Sequence, residues 1–302
     1  MPDHEPLLQQ MARQHAALAL PGAADPTATP ASDSTADLAY AAARRLGFID
    51  ADARCVAQAW ARQSERLGAF DPDAWPSDPR DFGIAPAGGF APCPQALGLY
   101  AVLPSADWVG RVARVGVPTV QLRFKHPDPA AVQQEVHAAV AAVQGTGARL
   151  FINDHWRLAI EAGAYGVHLG QEDLDTLSAG DLATIRDAGL RLGLSTHGYA
   201  EMVRAARIGP SYLALGAVFP TTLKAMATAP QGPGRLAAYA RLLQGWSLVG
   251  IGGIGAAELP AIAASGVGSV AVVRAIVAAD APEAAAQALM QQWAALRQQA
   301  TA

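Results

Sequence analysis

From Leu97 to the end of the chain, short apolar runs alternate with longer stretches in which Ala, Val and Leu recur at helical spacing. Eight runs are strand candidates: 97–103 (LGLYAVL), 118–124 (PTVQLRF), 148–154 (ARLFIND), 165–170 (YGVHLG), 191–196 (RLGLST), 212–219 (YLALGAVF), 247–253 (SLVGIGG) and 269–275 (SVAVVRA). The segments between them, such as PAAVQQEVHAAVAAV and YAEMVRAARI, have the texture of amphipathic helices. This alternation predicts an α/β fold with a parallel sheet. Eight units in about 205 residues favour a closed (β/α)8 TIM barrel over an open doubly wound sheet, and a barrel keeps its chemistry at the C-terminal strand ends.

The N-terminal third reads differently. Residues 20–37 mix Pro, Gly, Ser, Thr and Asp with almost no large apolar side chain, and 1–37 is expected to be a disordered tail. A short helical extension and Pro-rich linker follow over 38–95. One helix is expected from about Ala36 to Leu46, capped by Ser34 and stopped by Gly47; a second runs from about Asp52 to Leu67, stopped by Gly68. Leu38, Ala42 and Leu46, then Val56, Trp60 and Leu67, give each an apolar stripe. That stripe must bury against the barrel flank or a second copy of the chain, as in a homo-oligomer, and Trp60 and Trp75 read as core or docking residues. Six prolines between 71 and 95 end regular structure, so the barrel domain is 96–302.

Composition narrows the function classes. With 302 residues, 51% of them apolar and 16% charged, the chain can bury a large core. A net charge of −4 without Lys/Arg runs offers no field for nucleic acid. The first ten residues lack a secretory signal, and no run approaches the roughly 20 apolar residues of a membrane span. Cys55 and Cys93 have neither disulfide-framework nor zinc-site spacing, so two free thiols in a cytoplasmic protein are expected.

The candidate strand ends carry polar side chains in quantity. They are Gln121, Arg123 and Lys125 after strand 2, Asn153 and Asp154 after strand 3, Gln171 and Asp173 after strand 4, and Ser195 and His197 after strand 5. Thr221, Thr222 and Lys224 follow strand 6, and Gly252 and Gly253 follow strand 7. Cationic side chains, two carboxylates and Gly-rich loops around one mouth describe a site for a metal-bound diphosphate.

Taken in order, QLRFK, FINDHWRLAIEAGAYGVHLGQEDL, LSTH, GAVFPTTLK, GIGGI and SVAVVRAI resemble the thiamine phosphate synthase family from about Leu97 onward. The resemblance implies a transferase that condenses a pyrimidine diphosphate with a thiazole phosphate and releases diphosphate by Mg²⁺-assisted dissociative substitution. It carries Gln121, Lys125, Asn153, Ser195 and Lys224 over as pyrimidine diphosphate contacts, with Lys125, Lys224 and Ser195 as the catalytic groups; Arg123 between them is expected either to bind substrate or to point into the barrel and pair with a carboxylate. Asp154 and Asp173 become the Mg²⁺ ligands. On the thiazole side it implies Thr221, Thr222, Leu223, Gly252, Gly253, Val273 and Arg274. The chain departs from the family pattern at Leu223, where a hydroxyl is common, at Arg274, where a serine is frequent, and at Phe124, where a glutamate is usual.

Other readings stand beside this one. A thiazole tautomerase on the same scaffold would use a histidine near His197, and a noncatalytic thiamine phosphate binder would bind product without turnover. Asp154 and Asp173 also suit helix N-caps. His168, between Val167 and Leu169, reads as a hydrogen-bonded core histidine. Gly250, Gly252 and Gly255 satisfy GxGxxG, yet no carboxylate follows about 20 residues on, which argues against a nicotinamide cofactor. Ser195, His197 and Asp173 lack the strained turn of a hydrolytic nucleophile.

Overall fold

The computed structural model describes residues 4–85, 88–221 and 228–301. Among the described residues three α-helices precede the barrel, α1 (Glu5–Gln14), α2 (Thr35–Arg45) and α3 (Asp50–Leu67), with single 3-10 turns at Ala16–Leu18 and Pro21–Ala23 between the first two. The barrel then runs β1 (Gly98–Leu103), α4 (Ala106–Arg114), β2 (Thr119–Leu122), α5 (Pro129–Val143), β3 (Arg149–Asn153), α6 (Trp156–Ala162), β4 (Gly166–Leu169), α7 (Gln171–Thr176), α8 (Ala179–Asp187) and β5 (Arg191–Thr196). It continues with α9 (Tyr199–Ile208), β6 (Tyr212–Leu215), α10 (Gly232–Leu242), β7 (Leu248–Gly250), α11 (Leu259–Ala264), β8 (Ser269–Val272), α12 (Arg274–Val277) and α13 (Pro282–Thr301).

All eight expected strands are present and pair in parallel in chain order, and β8 closes on β1 through Gly98↔Ser269 to Ala101↔Val272. Local chemistry sets the helix starts. Ser105, Asp128 and Ser178 each accept a backbone N–H as N-caps of α4, α5 and α8, and Pro129 occupies the first turn of α5, where its missing N–H does no harm. The barrel lumen is packed by Leu97, Tyr100, Val102, Phe151, Tyr212, Ala214, Val249 and Ala271. Gly193 on β5 makes room for this packing, because a Cβ there would stand 2.1 Å from the Tyr212 ring. The expected sixth strand, 212–219, ends early at Leu215; Val218 and Phe219 donate instead to Ile251 and Gly252 beside β7.

The extension matches its expected helices closely. Ser34 caps α2 by accepting from Asp37 N–H, and Gly68, in the left-handed conformation, closes α3. The disordered tail expected over 1–37 is corrected over residues 4–37. Leu8 and Met11 on α1 are 1% and 0% exposed, and the segment behind them is tied down through its backbone: Leu20 N–H to Leu46 O at 2.9 Å, Asp25 N–H to Arg44 O at 3.1 Å, and Arg45 Nε to Ala28 O at 2.9 Å. Few apolar side chains are needed where the main chain itself is paired.

The stripe of the extension lies on the barrel flank formed by α9 and α10, so its burial does not require a second copy. Arg235 of α10, 2% exposed, donates Nε to Leu18 O at 2.8 Å and Nη2 to Leu46 O at 3.0 Å, with its guanidinium 3.6 Å from the centre of the Phe48 ring. Trp60 is fully buried, meets Trp75 edge-on at 5.3 Å, and Trp75 donates its indole N–H to Tyr199 OH on α9 at 2.9 Å. Both tryptophans are therefore docking residues. Cys55 and Cys93 are free thiols, and no helix among the described residues is long and apolar enough to cross a membrane.

Candidate active site

The C-terminal strand ends open into a cavity of about 710 Å³. It is lined by Gln121, Arg123, Lys125, Asn153, Asp154, Asp173, Ser195, Thr221, Gly252, Gly253, Val273 and Arg274, so the described residues that the family resemblance implies meet in one place, whereas Gln171 stands behind the wall with its amide on Ser195 O. Thr222, Leu223 and Lys224 lie outside the described residues.

Asp154 and Asp173 come from different βα units and share one wall. Asp154 follows the end of β3 with φ +64°, and it is the residue other than glycine with positive φ among the described residues. Aspartate tolerates this conformation better than most residues, and such backbone outliers gather at functional sites. Its carboxylate pairs with the Lys125 ammonium from the β2 end. Asp173 accepts from Gly170 N–H at 2.7 Å from the third position of α7, so it helps to cap that helix from within rather than as the expected N-cap residue, and Asp154 is not the N-cap of α6, which is His155. Burial raises the Asp173 pKa and the neighbouring Asp154 charge raises it further, against the Gly170 N–H and Lys125, which lower it. A carboxylate disfavoured in this way gains from a bound cation.

Between the two walls runs a buried hydrogen-bond chain. Gln121 Nε2 donates to Asn153 Oδ1 at 2.9 Å, which leaves Gln121 Oε1 to accept from Tyr100 OH at 2.9 Å. Tyr100 has then spent its proton, so Tyr212 OH donates to it at 2.8 Å and accepts from His168 Nδ1 at 2.6 Å. With the imidazole neutral, Nε2 is an acceptor, and the Ser195 hydroxyl donates to it at 2.8 Å. Burial holds the pKa of both phenols well above the usual tyrosine value, which keeps their protons in place and the polarity of the chain fixed. Asn153 thus turns its amide N–H groups, and Ser195 its oxygen lone pairs, to other partners. His168 is the hydrogen-bonded, 7% exposed histidine expected from the sequence, and it also borders the cavity.

A hydrolytic triad is absent from this geometry. Ser195 is bonded to His168, whereas His197 Nδ1 pairs with Glu201 Oε2 at 2.7 Å. The GxGxxG run does not open a helix either: α11 begins at Leu259, and Gly255 N–H is held by Glu258 Oε2 at 2.9 Å. Gly252 and Gly253 instead fold the β7 loop onto the loop after β6, with φ of +102° and +68°; a Cβ on Gly253 would lie 2.5 Å from Pro220 O. Close packing of this kind leaves main chain at the cavity wall, where phosphate groups bind well in barrels.

Sequence reasoning missed Tyr100 and Tyr212 as site-supporting residues, along with Glu172 and Glu258 at the cavity rim. The tyrosines sit inside apolar strands and read as core; the signal available was a phenol at a lumen-facing position, whose hydroxyl needs a partner.

Comparison with known proteins agrees with this geometry. A family model described as thiamine monophosphate synthase matches residues 99–276. A thiamine-phosphate synthase of Neisseria meningitidis serogroup B is 53% identical over 204 residues, covering 68% of this chain and 98% of the relative. One from Escherichia coli O6:H1 is 53% identical over 201 residues, covering 66% and 94%. Among solved structures, thiamine phosphate pyrophosphorylase from Pyrococcus furiosus superposes with a TM-score of 0.58 at 23% identity over 66% of this chain and 96% of that one, a likeness that shows the barrel alone. Barrel, cavity and sequence match together establish that the chain belongs to the thiamine monophosphate synthase family.

Proposed function

We propose that this chain joins a pyrimidine-methyl diphosphate to a thiazole phosphate, giving thiamine phosphate and free diphosphate, with Mg²⁺ as cofactor. The observation that carries the reading is the meeting of Asp154, Asp173 and Lys125 at the wall of the same cavity that holds the Gln121–Asn153 amide pair. The two carboxylates fit Mg²⁺, a hard ion that takes one or two protein carboxylates and completes its shell with water and phosphate oxygens. Among the described residues no group of three or more His, Cys, Asp or Glu side chains is placed to hold a metal ion. When bound, Mg²⁺ supplies positive charge to the diphosphate oxygens.

The protein's own part is positioning and charge. The C–O bond to diphosphate breaks and its electron pair leaves with the diphosphate; the thiazole nitrogen then forms the new C–N bond to the pyrimidine methyl carbon. Lys125 and Arg123, with Lys224, offset the charge on the leaving group. Gln121, Asn153 and Ser195 orient the pyrimidine end, and their buried chain gives each a fixed hydrogen-bond sign. Thr221, Thr222, Leu223, Gly252, Gly253, Val273 and Arg274 receive the thiazole phosphate, with Arg274 adding a forked donor. Both substrates are dissolved small molecules, and the reading puts the chain in the cytoplasm, where its two thiols stay reduced.

The test is diphosphate release from the two substrates and Mg²⁺, with and without the thiazole phosphate. Release that depends on both substrates is expected, and Asp154→Ala should abolish it at limiting Mg²⁺. Full turnover by Asp154→Ala under those conditions would remove the metal-ligand assignment.

A further inference from the structure

Helix α9 follows directly on the β5 end that brings Ser195, Thr196 and His197 to the cavity, and its first turn has no N-cap side chain of its own. Gly198 stands at the N-cap position. A helix start leaves backbone N–H groups without intrahelical acceptors, and a glycine cannot supply one. Asp52, in the first turn of α3, takes that role from the other side of the docking interface. Its Oδ1 accepts from Ala200 N–H at 2.9 Å, and Tyr199 N–H also faces the carboxylate. The group is 3% exposed. The fit is so close that a Cβ on Gly198 would lie 2.1 Å from Asp52 Oδ2.

The strand end itself is held on every side. Ser195 O accepts from Gln171 Nε2 at 2.8 Å, Thr196 Oγ1 donates to Ala214 O at 3.1 Å, and His197 N–H donates to Glu201 Oε2 at 2.8 Å. Glu201 lies in the α9 turn that Asp52 caps, so a shift of that turn moves His197 and the backbone behind Ser195. Asp52 lies outside the family barrel, since the family model begins at residue 99 and the Neisseria relative is matched almost completely by two thirds of this chain.

We propose that Asp52 is a positioning residue for the reaction, a cap supplied by the N-terminal extension that holds the β5 end in place against the pyrimidine side of the cavity. The proposal rests on the synthase reading of that cavity. Its test is Asp52→Ala, read by initial rates against each substrate and by amide hydrogen exchange of the 195–204 segment.

Loss of folded enzyme would scale kcat and leave both KM values alone. A displaced strand end raises KM for the pyrimidine diphosphate and spares that for the thiazole phosphate; a fall of about tenfold in kcat/KM for the former is expected. Protection of the 195–204 segment should fall with it. Adding Gly198→Ser to Asp52→Ala gives α9 a hydroxyl cap in the space the carboxylate leaves, and should bring kcat/KM back to within about threefold and restore protection. Asp52→Asn, which keeps the shape and one acceptor oxygen, should stay folded and protected. Unchanged kinetics in Asp52→Ala, or protection restored by Gly198→Ser without recovery of rate, overturns the proposal. Should the unaltered chain release no diphosphate, the synthase reading fails separately; 195–204 exchange in Asp52→Ala that equals the unaltered chain's then overturns the positioning.

Discussion

Changing Tyr212 to phenylalanine removes one oxygen from the middle of the buried hydrogen-bond chain and leaves the ring that packs the lumen. Two bonds go: the one Tyr212 OH donates to Tyr100 at 2.8 Å and the one it accepts from His168 Nδ1 at 2.6 Å. Deprived of this acceptor inside the barrel, a His168 N–H costs about 1–3 kcal/mol, and the donor lost to Tyr100 about 1 kcal/mol more. The unfolding free energy should therefore drop by about 2–4 kcal/mol, and Tm by roughly 3–6 °C. His168 can relieve part of this by moving its proton to Nε2. Ser195 must then accept from the ring, and its own proton turns away, reversing the hydrogen-bond sign it offers a ligand. A wrong-signed polar contact of about 1.4 kcal/mol lowers kcat/KM roughly tenfold. Urea unfolding and steady-state rates against the pyrimidine diphosphate read both effects, with Tyr165→Phe at the opposite end of the barrel as the control. A Tyr212→Phe variant within about 0.5 kcal/mol of the unaltered chain, with unchanged kcat/KM, would refute the fixed polarity of the chain.

Three further outcomes are expected. His15, 7% exposed between Trp60 and Trp75, has its pKa lowered by burial, against Pro72 O and the charges of Asp73 and Asp71. Its neutral form is the one that docks, so its contribution is complete above the ordinary value of 6.5 and is lost as pH falls through the lowered one; in urea melts His15→Gln should flatten that acid limb. Arg235→Ala takes the guanidinium donor from the Leu18 carbonyl and leaves the Leu46 carbonyl with the Leu20 N–H alone, and should cost about 2–4 kcal/mol, with faster proteolysis within residues 19–34 as the direct readout. Burial pushes the Cys93 thiol up to about 11, so iodoacetamide at pH 8 should label it roughly a hundredfold more slowly than an ordinary exposed thiol.

The barrel was legible because each strand is a short apolar run set off by helical periodicity, and a parallel sheet needs nothing more specific to declare itself. The site residues were legible for a second reason: Gln121, Asn153, Asp154, Asp173 and Ser195 are polar groups at the ends of otherwise apolar strands, where packing gives no cause for them. Tyr100 and Tyr212 stayed hidden because a tyrosine within a strand satisfies the apolar pattern with its ring, and only the closed barrel shows that their hydroxyls meet across it. Docking of 4–37 escaped notice because Pro, Gly and Ser announce a lack of core, whereas this segment is held by carbonyls that a guanidinium 217 positions away reaches. The role of Asp52 depends on Gly198, 146 residues further along, and no local pattern joins the two.

That long span has a consequence for how the molecule is made. Translation proceeds at roughly 5–20 residues per second, so Leu18 leaves the ribosome tens of seconds before the arginine that will hold its carbonyl. Over that interval α2 and α3 have only each other and α1, and Trp60, Trp75 and Phe48 wait for a surface not yet synthesised. The late helices α9 and α10 therefore belong to two assemblies at once, the ring of the barrel and the seating of its earliest segment.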